Sequence, residues 1–173
     1  MKNKSILLML VCCFFAQVKA QKQPVDYVNT IIGATTAADG KMFAYDGKTF
    51  PGAATPFGLV QLSPDTKTGG DHGPGYSWHH KTIEGFSFTH MSGIGWYGDL
   101  GNFLVGELHT AKGSEEHPEE GYRSRYSHDS EVTEAGYYAV TLDDYRIRTE
   151  LTVTPRTGII RFTFPEHAQS RIQ

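Results

Sequence analysis

Residues 145–153 alternate strictly. Tyr145, Ile147, Thr149, Leu151 and Val153 fall on one face, with Arg146, Arg148, Glu150 and Thr152 on the other. That period of two predicts a half-buried antiparallel strand. A strand at 137–142 precedes it, with Asp143-Asp144 as a tight turn, and another at 158–164 follows the turn-like TPRTG. The three make a meander. Further strands are predicted at 58–63, 83–90, 102–108 and 122–128. No stretch carries apolar residues at the three-and-four spacing of a capped helix. Short strands between glycine- and proline-rich loops predict an all-β fold, an antiparallel β-sandwich.

The first twenty residues have a different pattern. A basic start (Lys2, Lys4), an apolar run over 6–16 and small residues at Val18 and Ala20 give the layout of a signal peptide cleaved after Ala20. The run is about 11 residues long, and a membrane-spanning helix needs roughly 20. A lipoprotein signal fits Cys12 and Cys13 poorly, because valine and cysteine precede them where small residues are favoured. These two are the only cysteines, so disulfides cannot stabilise residues 21–173, and burial alone must.

Removing the leader changes the charge as well. The 16 Lys and Arg lose Lys2, Lys4 and Lys19 while all 19 Asp and Glu remain, giving −6 in place of −3. That balance disfavours nucleic acid or an anionic membrane as partner and suits a neutral ligand. No repeat or linker divides 21–173, so one domain is expected there. It stops nine residues after Phe164 without a closing element, which reads as a domain truncated at its C-terminal end.

Three loops carry candidate chemistry. YDGKTFPGAATPFGLVQLSPDT, residues 45–66, sets Pro51-Gly52 and Pro56-Phe57-Gly58 before a strand and Pro64-Asp65 directly after it. This is either a shaped ligand loop or ordinary turn chemistry flanking a core strand. GGDHGPGYSWHH, residues 69–80, holds His72, His79 and His80. Adjacent histidines on a strand point to opposite faces, and no cysteine or HExxH pattern supports zinc. Tyr76 and Trp78 are expected as core or ligand-facing aromatics.

The third, GFSFTHMSGIGWYGDLGNF, covers residues 85–103. Phe86, Phe88 and His90 share one strand face, and then Gly93, Gly95, Gly98 and Gly101 surround Trp96. Glycines let a ligand approach the main chain, and an indole packs well on the C–H face of a sugar. Asp99 stands ready for a hydroxyl. From composition alone, Trp96 folding back to plug the sandwich rim is an equal reading.

VNTIIGA, TFPGAATPFGLVQLSPDT, GFSFTHMSGIGWYGDLGNF and GYYAVTLDDYRIRTELTVTPRTGIIRFTFP together resemble the start of bacterial α-mannosidases of glycoside hydrolase family 92. The likeness runs from about Asp26 to the last residue, with four motifs in order. It implies an exported, calcium-dependent enzyme that removes α-linked mannose from glycans with inversion. In that family an N-terminal β-sandwich packs on a larger (α/α)6 barrel, and the active site lies between them. Inversion pairs a carboxylic acid with a carboxylate base about 6.5–9.5 Å away, and calcium takes oxygen ligands.

The family's acid, base and most calcium ligands belong to the barrel, which this sequence does not contain. No carboxylate here inherits a catalytic role, and the chain alone is expected to be inactive. The glycine-rich loop carries over as the one presenting an aromatic platform near the leaving-group sugar, which falls on Trp96. Asp99, His90 and Asp65 are further substrate-binding candidates, each with the alternative of holding its loop in shape. The implied partners are a mannose-containing glycan and the barrel, with no nucleic acid and no transmembrane segment in the mature chain. The implied location is the periplasm or cell surface. The rival readings are a non-catalytic carbohydrate-binding module and the remnant of a truncated gene.

Overall fold

A computed structural model describes residues 21–35, 47–68, 73–93, 103–106, 117, 121–166 and 172. Nine strands are defined among them: β1 (Ala53–Ala54), β2 (Gln61–Asp65), β3 (Thr82–Ile83), β4 (Gly85–Ser87), β5 (Ser124–Arg125), β6 (Val132–Glu134), β7 (Tyr137–Leu142), β8 (Ile147–Val153) and β9 (Gly158–Thr163). Helix among the described residues is confined to short 3-10 turns at Pro24–Tyr27 and His128–Ser130. No helix there is long and apolar enough to cross a membrane.

Every strand pairing is antiparallel. One sheet runs β1-β2-β4, a second β3-β5, and the largest β6-β7-β8-β9. β1 and β2 lie against β8, which makes the sandwich. The period-two pattern sets its inner face. In β8, Ile147, Thr149 and Leu151 are buried while Arg148, Glu150 and Thr152 face outward. Tyr138, Val140 and Leu142 of β7 point inward beside them and meet Leu62 and Phe86 from the facing sheet. Fully burying a side chain such as Leu151 contributes about 2 kcal/mol, and the sandwich is held by the sum of such terms.

The predicted meander is present. β7 has the expected bounds, β8 starts two residues late and β9 ends one residue early. The connection from β7 to β8 is a four-residue turn, 143–146, closed by Arg146 at φ 55°. Three expectations shift. The strand expected at 122–128 is cut to the two residues of β5, because Ser127 caps the 3-10 turn that His128 begins. The strand expected at 83–90 divides at Glu84, so that β3 pairs with β5 and β4 pairs with β2. The strand expected at 58–63 lies at Gln61–Asp65 and includes Pro64. Proline is tolerated because the last β1 pair is Ala53↔Leu62, which leaves Pro64 without a β1 neighbour. Of the strand expected at 102–108, residues 103–106 are described, and there Val105 forms a single bridge, exchanging two backbone hydrogen bonds with Phe86.

Candidate functional site

His90 and Asp65 are brought together and buried. Asp65 closes β2, and His90 follows β4, the strand beside it. His90 Nε2 stands 3.1 Å from Asp65 Oδ1 and 3.2 Å from Ser87 Oγ. Its Nδ1 lies 2.7 Å from the carbonyl oxygen of Gln61. A carbonyl can only accept, so Nδ1 carries the proton and donates. Phe50 leans on the imidazole at 5.3 Å between ring centroids. The Oδ2 atom of Asp65 is buried without a hydrogen-bond partner among the described residues.

Close backbone approach makes room for this pair. Gly75 has φ +68°, and a Cβ there would lie 2.2 Å from Asp65 Oδ1 and 3.0 Å from the His90 ring. Only glycine fits such a position. Beyond His90 the chain is tied by its main chain, Met91 N–H to Gly73 O at 3.0 Å and Gly93 N–H to Lys48 O at 2.6 Å. Gly93 takes φ +79° with open space where a Cβ would be. The first residues of the glycine-rich loop are therefore fixed to two other segments. Trp96 and Asp99 lie outside the described residues, as does His72.

A second constellation centres on Glu131, and the sequence reading did not find it. Its carboxylate accepts from Tyr76 Oη at 3.0 Å and from Tyr138 Oη at 2.6 Å. His128 Nδ1 lies 2.6 Å from it. Burial pushes the Tyr76 phenol far above its ordinary range, with neighbouring Tyr126 and Glu131 adding to the effect. Burial likewise holds the Tyr138 phenol neutral, reinforced by Glu131. The Trp78 indole stacks on the His128 ring at 3.6 Å and 8°, and His128 Nε2 lies 2.9 Å from the Trp78 carbonyl. Trp78 is 37% exposed while Tyr76 is fully buried. Tyr76 and Glu131 are 55 residues apart in sequence, and no local pattern links them.

A third buried cluster joins Glu84 to Arg123. Arg123 also donates to Thr82 Oγ1 at 2.8 Å, while the Thr68 N–H reaches Glu84 at 3.0 Å. This ion pair sits where the predicted strand divides and ties β3 to the start of β5. His79 is exposed and His80 buried, but they lie in a turn, closed by the His80 N–H on the Ser77 carbonyl, and not on a strand; His80 Nδ1 lies 2.9 Å from Thr66 Oγ1.

The chemistry follows from this use of donors. Glu84 and Glu131 are each held by cations or hydroxyls of the protein itself, so neither is poised to move a proton at a substrate. Among the described residues no group of three or more His, Cys, Asp or Glu could hold a metal ion. The described side chains brace one another, and His90, paired with Asp65, directly precedes the glycine-rich stretch in sequence.

Residues 27–173 match the family model described as the N-terminal domain of glycosyl hydrolase family 92. Among solved structures, an alpha-mannosidase of that family from Bacteroides thetaiotaomicron is 44% identical, with a TM-score of 0.74. The match covers 84% of this chain and 19% of that one. A family 92 inverting mannosidase from the same organism is 30% identical with a TM-score of 0.65, over 84% of this chain and 19% of that one. An uncharacterized secreted glycosidase of Arthroderma benhamiae is 28% identical over 148 residues, 82% of this chain and 17% of its own length. This chain thus spans less than a fifth of each of these three proteins.

Proposed function

The chain belongs to glycosyl hydrolase family 92, within its N-terminal domain, and from that premise we propose that it is the sandwich share of an exported α-mannosidase. In this reading it supplies loops to a pocket completed by a larger catalytic domain. The substrate is an α-mannoside of a glycan, cleaved with inversion by carboxylates outside this chain. The observation that carries the proposal is the 44% identity to an alpha-mannosidase over 84% of the chain. The secreted description of the Arthroderma relative supports export, as does the signal-peptide layout of residues 1–20.

Trp96 takes the role of aromatic platform at the leaving-group sugar, with Asp99 beside it. His90 and Asp65 hold the start of the loop that carries it. Support for this comes from their geometry: His90 bridges Gln61 and Asp65 three residues before Gly93, so the loop leaves a rigid base. The unpartnered Oδ2 keeps Asp65 a candidate for a direct contact as well.

Calcium, a hard cation taking six to eight oxygen ligands, does not fit the described residues. Glu84 and Glu131 are spent on Arg123, two tyrosines and His128. The proposal accordingly places the calcium ligands in the catalytic domain and routes no step through these side chains.

The test is hydrolysis by the 173-residue chain, assayed on α-mannosides with and without added calcium. No mannose release is expected under either condition. Metal-dependent release by this chain alone would overturn the proposal, because the carboxylate pair would then have to lie within it.

A further inference from the structure

Phe57 occupies a backbone position that suits it poorly, and its ring is left fully exposed. Thr55, Pro56, Phe57 and Gly58 form a turn closed by the Gly58 N–H on the Thr55 carbonyl at 2.9 Å. Pro56 suits the second position of such a turn, but the third requires positive φ and calls for glycine or asparagine. Phe57 sits there at φ 57°, and its side chain is 105% exposed. A strained backbone and a fully solvated aromatic ring are both unfavourable, and strain of this kind persists where function uses it.

The ring is also presented from a fixed base. Leu59, 74% exposed, stands two residues on, and its N–H donates to the Pro155 carbonyl at 2.8 Å. That bond ties the loop to the β8–β9 turn. The loop then enters β2 at Gln61, whose N–H reaches Phe88 O at 2.9 Å and whose carbonyl takes the His90 proton. Phe57 and Leu59 therefore lie at the same end of the sandwich as the root of the glycine-rich loop.

We propose that Phe57 and Leu59 form the docking contact for the larger domain of the family 92 enzyme, seating it against the end of the sandwich from which the Trp96 loop departs. This rests on the reading of the chain as one share of such an enzyme. The occupant follows from two observations. This domain matches only 19% of the 44%-identical mannosidase, so a much larger polypeptide is joined to it there at high effective concentration. The exposed groups are a phenyl ring and, two residues on, an isobutyl group, which suit an apolar protein surface better than a hydroxylated sugar.

The test uses the 173-residue chain and a chimera in which residues 27–173 replace the matching part of that mannosidase. Phe57→Gly relieves the backbone strain while deleting the ring. In the chain alone its melting temperature is expected to stay unchanged or rise. In the chimera it is expected to fall by about 4 °C or more, or the single unfolding transition to split in two. Ile159→Ser serves as the control. Ile159 is also apolar and 55% exposed, but it lies on the outer sheet face with the Glu150–Arg161 pair, so both proteins are expected to tolerate its loss equally. Equal shifts for Phe57→Gly in chain and chimera overturn the proposal. So does a chain that dimerises and becomes monomeric on Phe57→Gly, which assigns the face to a second copy. Mannose release by the unmutated chimera is a separate readout, and its failure in a cooperatively folded chimera tells against the functional reading instead.

Discussion

Asp65 Oδ1 and His90 Nε2 stand 3.1 Å apart across two paired strands, both side chains buried, with Gly75 pressed against them. The pair joins residues 25 positions apart in sequence. It converts the end of β4 from a free exit into an anchored one.

Gly75→Ala is expected to destabilise the chain by about 2–4 kcal/mol, through strain at positive φ and overlap with Asp65. Urea unfolding should show a lower midpoint with an unchanged slope. His90→Ala removes the partner of both Asp65 and Gln61 and is expected to cost about 2–3 kcal/mol. A variant at either position as stable as the parent would contradict the anchored geometry.

The tyrosines around Glu131 predict alkaline sensitivity. Burial raises the phenols of Tyr76 and Tyr138 above their unfolded value, so the folded state holds these protons more tightly. The stabilisation is complete below about pH 10, where an unfolded phenol titrates, and is lost as pH rises beyond it. Melting temperatures followed from pH 7 to 11 should be level at first and then fall. In the Tyr76→Phe, Tyr138→Phe double variant the alkaline fall should be shallower, whatever its starting stability.

Glu131→Ala leaves two buried hydroxyls and His128 without their shared acceptor. The expected loss is about 3 kcal/mol. Glu131→Gln keeps an acceptor oxygen and should cost less. Equal and small effects would show that the hub contributes little.

Trp96→Ala tests the platform apart from catalysis. Titration of the chain with an α-linked mannose oligosaccharide, followed by heteronuclear NMR, should show binding weakened about tenfold or more. Trp78→Phe should leave that binding intact, because Trp78 is stacked on His128.

The meander was legible because its alternation is strict and its turns are short. β7 through β9 are long enough for a period of two to declare itself. β1 and β6, of two and three residues, carry no period at all. The break at Glu84 was not legible either. A buried carboxylate in a strand pattern reads as an error until Arg123, 39 residues later, is known to meet it. The candidate site divides the same way. Asp65 and His90 each stood out in a motif, yet their pairing depends on β2 lying beside β4. The Glu131 hub gave no sequence signal, since its tyrosines and histidine come from three separate segments. Trp96 and Asp99 lie outside the described residues and rest on motif alone.

The most direct measurement is α-mannoside hydrolysis by the chimera carrying residues 27–173 of this chain, with and without Trp96→Ala. The account predicts mannose release by the parent chimera and a fall in kcat/KM of about 10- to 100-fold in the variant, or roughly 1.4–2.7 kcal/mol of transition-state stabilisation. A cooperatively folded chimera that releases no mannose, or one indifferent to Trp96, would contradict it.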